Sequence, residues 1–483
     1  MALKRDLMLV GGGRLAAALM ALITLRAVTT FLTPEQYGEL ALLIAVQMFC
    51  GLFLINPVGQ HINLHTHAWW DEGSLMTRLK SYRYYVLAVS LLGGAVGFYI
   101  SKQHSAEQLF WAAAAVFAMV AAGTWNATLI PMLNMLGFRA ASVLWSIVTV
   151  AIGLISSILL VRWSPSATAW FSGQAIGMAA GALGAKYVLR RHAIPSKSSR
   201  IALSLLDRHT VLTYCMPLAL ATGLMWLQLS GYRFVIEGYW GLSQLGFLAV
   251  GLQLAGQIWS LAESLAMQFL YPLFYRRVSA HEKHADVRLA VSDLLNTLVP
   301  VYFVLAGLTI LSAPYLLKLL VAPQFWGALN FVMLGTGIEL CRVLGNLLSN
   351  AAHVRRKTRS LALPYAAGSM TALALIYFAG ARQMEISWAG AALMAGAIAM
   401  FIIMLISMYR QVRFCLDVGR CFVGVAVMLA MSSLVIWMPK VSGLGATLGL
   451  LMLAAAPAGI VVSALLWKNP ATLRLLNVQL RKN

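Results

Sequence analysis

Four arginines stand inside long apolar segments of this sequence, where a charged side chain is costly to keep: Arg14, Arg26, Arg233 and Arg342. A guanidinium group is planar, keeps its proton, and can bind two oxygens of a phosphate or carboxylate at once. Charged residues within apolar segments usually face a protein interior or a water-filled cavity. We therefore predict that these arginines bind an anionic group, and a compact phosphate-type anion suits them best.

The stretch GYRFVIEGYWGLSQLG, residues 231–246, places Arg233 at the end of an almost unbroken apolar run. We predict that Arg233 faces a central cavity. Two structural alternatives are a side chain that reaches the outer membrane surface and an ion pair with Glu237, one helical turn later. Arg26 holds the corresponding outer position in the first apolar segment. Arg14 lies deeper, about 10 Å from the inner end of that segment.

Two carboxylates in apolar segments are candidates for ion coupling. Glu339 and Arg342 in GTGIELCRVLG are three residues apart, so a helix places them on one face. This spacing fits an internal ion pair, and it also fits a gate or a proton-coupling carboxylate. Glu263 in IWSLAESLAM has no arginine three or four residues away. A solitary carboxylate in an apolar environment can bind and release protons, so Glu263 is the better coupling candidate.

Uncharged polar side chains in the apolar segments are candidates for hydrogen bonding to a polar substrate, and an indole ring can stack on a flat face of it. The alternative for each is a hydrogen bond between neighbouring helices. The predicted substrate-binding residues of this kind are Asn56, Gln60, Trp226, Gln228, Gln253 and Gln257.

Composition and motifs exclude several other classes of protein. With 60% hydrophobic and only 11% charged residues, the chain is predicted to be a polytopic membrane protein. The net charge is +21, and the basic residues lie in short breaks between apolar segments. Nucleic acid is therefore not a predicted partner. His61, His65 and His67 stand beside two tryptophans and favour a membrane-interface position over a metal site. No motif for ATP or another cofactor is present, so we predict neither metal nor cofactor.

Fourteen segments supply the roughly 20 apolar residues that a helix needs to cross a membrane. We predict an all-α fold with about 14 membrane helices: 7–31, 38–63, 84–101, 108–133, 140–161, 167–189, 211–236, 243–272, 290–317, 326–351, 361–380, 386–409, 420–438 and 444–467.

The distribution of basic residues predicts the orientation. If the N-terminus is cytoplasmic, 27 of the 36 Lys and Arg residues fall on the cytoplasmic side and five on the opposite side. This asymmetry follows the positive-inside rule, and it predicts that both termini are cytoplasmic. The outer loops are too short to form a catalytic domain, so the chain is predicted not to be an enzyme.

An internal repeat predicts two lobes. TPEQYGELALLIAVQMF follows the first apolar segment and parallels GLSQLGFLAVGLQLAGQIW after the seventh, with Gln36 and Gly38 matching Gln244 and Gly246. We predict two pseudo-symmetric six-helix lobes around a central cavity, related by an axis along the membrane normal. The predicted division is residues 1–195, 196–412, and a part with two further helices and a cytoplasmic tail, 413–483.

The same segments carry a family resemblance. LTPEQYGELALLIAVQMF, GYRFVIEGYWGLSQLGFLAVGLQLA and APYLLKLLVAPQFWGALNFVMLGTGIEL resemble the Wzx-type O-antigen and polysaccharide flippases. These belong to the multidrug/oligosaccharidyl-lipid/polysaccharide (MOP) exporter superfamily. The pattern extends in order from residue 1 to about 412. The last two helices are similar to an addition in the lipid II flippase branch.

The resemblance implies that the chain exports an undecaprenyl-pyrophosphate-linked oligosaccharide by alternating access across a bacterial inner membrane. The implied partners are this substrate, membrane lipids, and the polysaccharide polymerase and chain-length proteins of the same pathway. One alternative is a drug/cation antiporter of the same superfamily, for which acidic cavity residues are expected. Another is a membrane polymerase or ligase that acts on lipid-linked sugars, for which an outer catalytic loop is expected.

Overall fold

The structure, a computed structural model, describes residues 2–100, 105–193, 209, 211–280, 284–355, 357–439, 441 and 443–480. Every long regular element in these residues is a helix. The α-helices are, in chain order, α1 Ala2–Phe31, α2 Pro34–Phe49, α3 Asn56–Asp71, α4 Leu75–Ile100, α5 Ala106–Met135, α6 Arg139–Trp163, α7 Ala167–His192, α8 Met216–Trp226, α9 Tyr232–Phe269, α10 Tyr271–Ala280, α11 His284–Leu320, α12 Leu329–Val354, α13 Ala362–Ala381, α14 Ile386–Val412, α15 Val418–Leu434, α16 Leu444–Leu466 and α17 Pro470–Leu480.

The predicted all-α polytopic fold is confirmed. Eleven helical segments of the described chain are long and apolar enough to cross a membrane, with Thr213–Phe269 counted as one segment. Each of the fourteen predicted spans lies mostly in helical structure, and the seventh ends in α9, which also contains most of the eighth and is kinked at Gly241. Helices suit this composition because they satisfy every backbone hydrogen bond within the segment, which a lipid environment requires. Residues 194–208, between the sixth and seventh predicted spans, lie outside the described residues.

Two compact units make up the chain. The first contains the residues up to Glu237 together with Gly241–Gly246, and the second contains Gly238–Trp240 and the residues from Phe247 onwards. The seventh predicted span therefore packs with the first six. Packing defines these units, whereas sequence repetition defines the predicted lobes, so the division at residues 195 and 412 stays a prediction.

π-helical turns interrupt the helices of the second and seventh spans in the first unit. Cys50–Ile55 joins α2 to α3, Val211–Cys215 precedes α8, and Leu227–Gly231 joins α8 to α9. A π-turn widens the helix and changes the direction in which the following residues point, and such turns are frequent at functional sites. Two of these turns directly precede a proline-containing first turn, at Asn56–Pro57 and Met216–Pro217, where proline has no N–H to donate.

The two repeat-related segments contact each other reciprocally within the first unit. A Cβ atom at Gly38 would overlap the carbonyl oxygen of Leu242, and one at Gly246 would overlap the carbonyl oxygen of Pro34. The repeat alignment pairs Gly38 with Gly246 and Pro34 with Leu242, so each contact is the counterpart of the other. Backbone approaches this close require glycine on both sides. The glycines of the repeat therefore serve one shared packing contact.

We expect Gly38→Ala and Gly246→Ala each to lower the thermal stability of the purified protein, because the added methyl group must separate two backbones. Overpacking of this kind costs about 1–3 kcal/mol. Gly238→Ala is the matched control, since a Cβ atom there meets nothing within 4 Å. Equal melting temperatures for the three variants in detergent would contradict the close contact.

The charge distribution predicts a topology that the helix bounds now make testable. We expect reporter fusions at residues 200 and 280 to give a cytoplasmic signal, and fusions at residues 104 and 382 an external one. The reason is that each lies between two of the fourteen predicted spans, so its side is set by the number of spans before it. A cytoplasmic signal at residue 382 would contradict this order.

A buried carboxylate attaches the C-terminal helix α17 to the second unit. Asp293 of α11 has a fully buried side chain and accepts hydrogen bonds from Arg277 of α10 at 2.7 Å and from Nε of Arg474 of α17 at 3.0 Å. These hydrogen bonds raise the pKa of the Arg474 guanidinium above its ordinary value. One buried acid with two arginines leaves no uncompensated negative charge, so Asp293 has a structural role here.

Candidate functional site

The helices of the seventh and second spans form a ladder of side chain to backbone hydrogen bonds in the first unit. Thr222 donates to the Leu52 carbonyl at 2.7 Å, and Trp226 Nε1 donates to the Ala45 carbonyl at 2.9 Å. The local backbone explains the first bond. Within the π-turn the backbone N–H of Asn56 donates to the carbonyl of Gly51, five residues earlier. By the same pattern the Leu52 carbonyl would accept from residue 57, but this residue is proline and has no N–H. Thr222 supplies the missing donor.

Arg233 is the charged member of this ladder. Its Nη1 donates to the Ala41 carbonyl at 2.9 Å, and its Nε is buried without a hydrogen-bond partner. No described carboxylate forms an ion pair with Arg233, so the alternative of a pair with Glu237 is wrong. A guanidinium has five N–H donors, and a buried donor left unpaired costs about 1–3 kcal/mol. Arg233 therefore retains donors for a further acceptor, and its predicted anion-binding role stays a prediction.

The other two arginines of the first unit are both on α1. Arg26 is exposed near the C-terminal end of the helix, and its carbonyl accepts hydrogen bonds from the Thr29 and Thr30 hydroxyls. Arg14 lies in the same helix, but its side chain is outside the described part of the chain. The roles predicted for Arg14 and Arg26 stay predictions.

A charged cluster lies within membrane-length helices of the second unit. Arg342 of α12 donates from Nε to Glu339 at 2.7 Å and from Nη1 to Glu263 of α9 at 3.0 Å. Asn346, one turn after Arg342, donates to the second oxygen of Glu263 at 2.8 Å. All three charged side chains are more than three-quarters buried. With every group ionised, two carboxylates share one guanidinium and the cluster has a charge of −1.

The structure confirms one sequence interpretation of this cluster and corrects another. The ion pair of Glu339 with Arg342, predicted from their spacing, is present. The description of Glu263 as solitary was wrong, because Arg342 pairs with it from a helix 79 residues away. Sequence reasoning also missed Asn346. A signal for it existed, since Glu339, Arg342 and Asn346 recur at the i, i+3 and i+7 spacing of one helix face.

A second group of polar side chains lies at the C-terminal end of α12. Asn350 accepts a hydrogen bond from the Tyr275 hydroxyl at 2.9 Å and donates to the Tyr271 hydroxyl at 3.3 Å. Burial raises the pKa of the Tyr271 hydroxyl to about 12, so this hydroxyl is protonated throughout the physiological range. Asn350 stands one turn beyond Asn346, and the two asparagines continue the polar face of α12.

The uncharged site residues divide into two sets. Asn56 and Gln60 line one cavity of about 430 Å³ in the first unit, where Gln60 donates to Asn56 at 3.4 Å. The indole N–H of Trp226 donates to the Ala45 carbonyl, and the Trp226 ring packs edge-on against Phe49. The structure therefore gives Trp226 a role in helix packing. The other three glutamines are not brought into that cavity: Gln228 in a π-turn, and Gln253 and Gln257 on α9.

The three histidines lie on α3, where the rings of His61 and His65 pack with neighbouring aromatic side chains. His65 stacks on Trp69, with ring centroids 5.3 Å apart, and His65 Nδ1 lies 2.9 Å from the His61 carbonyl oxygen. Arg78 also lies over the Trp69 ring, 4.8 Å from its centroid. This aromatic and cationic packing is typical of a membrane interface.

No protein-family model matches the sequence. No curated protein matches it significantly. Solved structures do match the fold. The chain is similar to "Lipid II flippase MurJ, inward closed conformation", with a TM-score of 0.68 and 10% identity over 98% of each chain.

Two multidrug transporters match the fold over less of this chain. An inward-facing MATE family transporter of the MOP superfamily has a TM-score of 0.55 and 12% identity, over 83% of this chain and 98% of its own. The eukaryotic MATE transporter AtDTX14 has a TM-score of 0.50 and 14% identity, over 89% of this chain and 98% of its own. The similarity at these identities is one of fold, and it is the fold of polytopic flippases and transporters.

Proposed function

We propose that the protein is a flippase for an undecaprenyl-pyrophosphate-linked oligosaccharide. It moves an O-antigen or exopolysaccharide repeat unit from the cytoplasmic to the periplasmic leaflet of a bacterial inner membrane by alternating access. The fold supports this proposal, because a lipid II flippase matches over 98% of both chains, including the two C-terminal helices. A shared fold does not determine the substrate, so the site residues have to supply that argument.

The observation that carries the proposal is the environment of Arg233. This guanidinium lies within a membrane-length segment, uses one N–H on a backbone carbonyl, and has a buried Nε without a partner. No carboxylate neutralises it among the described residues. A positive charge without a counter-charge favours the binding of an anion. A pyrophosphate provides several oxygens that can accept hydrogen bonds from the planar guanidinium of arginine. Cationic drugs do not suit this group.

The cluster of Glu263, Arg342 and Glu339 is the proposed site of ion coupling. Its charge of −1 in a membrane-length region is costly, so binding one proton or one monovalent cation is favourable there. Asn346 and Arg342 occupy both oxygens of Glu263, while Glu339 is bound only by Arg342.

The location and pathway follow from the charge map and the proposed substrate. Both termini are proposed to be cytoplasmic, because the basic residues concentrate on that side. The polymerase and chain-length proteins that consume the exported repeat unit are proposed partners. The runner-up function is a drug/cation antiporter, and the test below separates the two.

The test is mass spectrometry of lipids that copurify with the protein from its native membrane. We expect a polyprenyl-pyrophosphate glycan to be enriched over a control membrane protein purified in parallel, and to be depleted in Arg233→Ala at equal protein yield. The reason is that the bound pyrophosphate loses its principal charged partner. Enrichment of organic cations without any polyprenyl glycan would instead support the antiporter and overturn this proposal.

A further inference from the structure

A cavity lies between the second and fourth membrane helices of the first unit, and the predicted substrate-binding residues Asn56 and Gln60 form part of its wall. Its volume is about 430 Å³, within the range of about 300–1,000 Å³ that is usual for small-molecule pockets. One wall is formed by α2, the π-turn after it and α3, and the other by α5. We call it the amide cavity, after its four amide side chains: Gln47, Asn56, Gln60 and Asn63.

The polar groups of the amide cavity are uncharged, and several are unused. None of the described lining residues is charged. The Gln60 side chain donates one hydrogen bond to the Asn56 side chain, whereas the Gln47 and Asn63 side chains make none with the described residues. An amide offers two donors and two acceptor positions, so these two side chains leave about eight hydrogen-bonding positions for an occupant. These unused amide groups, with no charged side chain among the described lining residues, match a polar, uncharged occupant.

Glycines keep the amide cavity open. A Cβ atom at Gly51 or Gly59 would meet nothing within 4 Å, and one at Gly123 would meet only the Gln47 amide nitrogen, at 3.6 Å. Helix packing therefore does not require glycine at these three positions. Gly in a helix costs about 1 kcal/mol relative to Ala, so retaining three of them around one cavity is destabilising unless the space is used.

The remaining lining residues supply a nonpolar surface. Met48, Leu52, Ile55 and Met119 stand beside the amides, and the Thr124 hydroxyl donates to the Val120 carbonyl of its own helix, which leaves its lone pairs as acceptors. A surface of this kind, with uncharged donors and acceptors beside C–H groups, matches a sugar ring, which has hydroxyl groups at its edge and C–H groups on its faces. A charged drug or a phosphate would lack a counter-charge there.

We infer that the amide cavity is a subsite for one or two uncharged sugar residues of the transported glycan. This inference rests on the proposed function, and it adds the substrate class: neutral or N-acetylated sugars, with uronic or sialic acids disfavoured. The glycan and the pyrophosphate are then held by separate groups of the first unit, the amide cavity for the sugar and Arg233 for the anion. Cavity-filling substitutions should consequently remove sugar recognition alone.

Glycine substitutions test this without disturbing helix packing. Gly59→Leu and Gly51→Leu place a side chain in open space, and Gly449→Leu on the exposed face of α16 is the matched control. Asn63→Leu removes the hydrogen-bonding groups at nearly constant volume and serves as a second, independent variant. Thermal melting of each purified protein shows whether it is folded.

The experiment is native mass spectrometry of the wild type and these variants with two probes: undecaprenyl pyrophosphate and undecaprenyl-pyrophosphate-N-acetylglucosamine. We expect the wild type to bind the glycosylated probe about tenfold more tightly, equivalent to one or two net hydrogen bonds. Gly59→Leu, Gly51→Leu and Asn63→Leu should bind both probes with equal affinity, at the wild-type affinity for the bare lipid. Gly449→Leu should behave as wild type.

Three outcomes separate this inference from the proposed function. An equal preference for the glycosylated probe in the wild type and the folded variants would overturn the subsite. Equal binding of both probes by the wild type would also overturn it, and would leave a water-filled cavity. Binding of neither probe by the wild type would overturn the proposed function and the subsite with it.

Discussion

Export of the lipid-linked glycan is expected to fall by about 10- to 150-fold when Arg233 is replaced by alanine. The estimate follows from hydrogen bonds to a charged group, which contribute about 1.5–3 kcal/mol, at 1.4 kcal/mol per tenfold change. Folding should change little, because among the described residues Arg233 donates only to a backbone carbonyl within a helix. The measurement is glycan export in cells at matched protein levels.

Two further variants define what Arg233 contributes. Arg233→Lys keeps the charge but loses the planar donor pattern, so it should restore export only in part. Arg162→Ala removes an exposed arginine at the C-terminal end of α6 and should leave export unchanged. Normal export by Arg233→Ala would assign Arg233 to helix packing through Ala41 and refute its role in anion binding.

Replacing Arg342 with methionine is expected to destabilise the protein by about 3–5 kcal/mol, the usual cost of breaking a buried ion pair from one side. The reason is that Glu263 and Glu339 would be left in a buried region without a counter-charge. The triple variant Glu263→Gln, Glu339→Gln and Arg342→Met contains no charge in the cluster, so its stability should recover. Thermal melting in detergent measures both effects, and a stable Arg342→Met protein would contradict the buried cluster.

Transport by the same variants tests the coupling role. Glu263→Gln retains the pair of Glu339 with Arg342 and makes the cluster neutral, so we expect the pH or ion dependence of transport to become flat while the protein stays folded. Glu385→Gln, at the start of α14, is the control and should keep the wild-type dependence. Wild-type pH and ion dependence in Glu263→Gln would remove Glu263 from the coupling mechanism.

The sequence by itself determined the features that depend on near neighbours along the chain. Every predicted span is a helix, because a long apolar segment in lipid can satisfy its backbone hydrogen bonds only within itself. The pair of Glu339 with Arg342 was predictable in the same way, since three residues along a helix fix which side chains are adjacent. The repeat predicted which glycines correspond, and Gly38 and Gly246 make corresponding contacts.

Only the tertiary structure decided which residues from distant helices meet. Arg342 pairs with Glu263 across 79 residues, and Gln47 and Asn63 line a cavity with α5 that no spacing in the sequence indicated. The physical reason is that lipid-facing and protein-facing sides of a membrane helix are both apolar, so hydrophobic periodicity specifies its rotation poorly. The partners of a polar side chain therefore depend on how the helices pack against one another, which the order of residues along any single helix does not reveal.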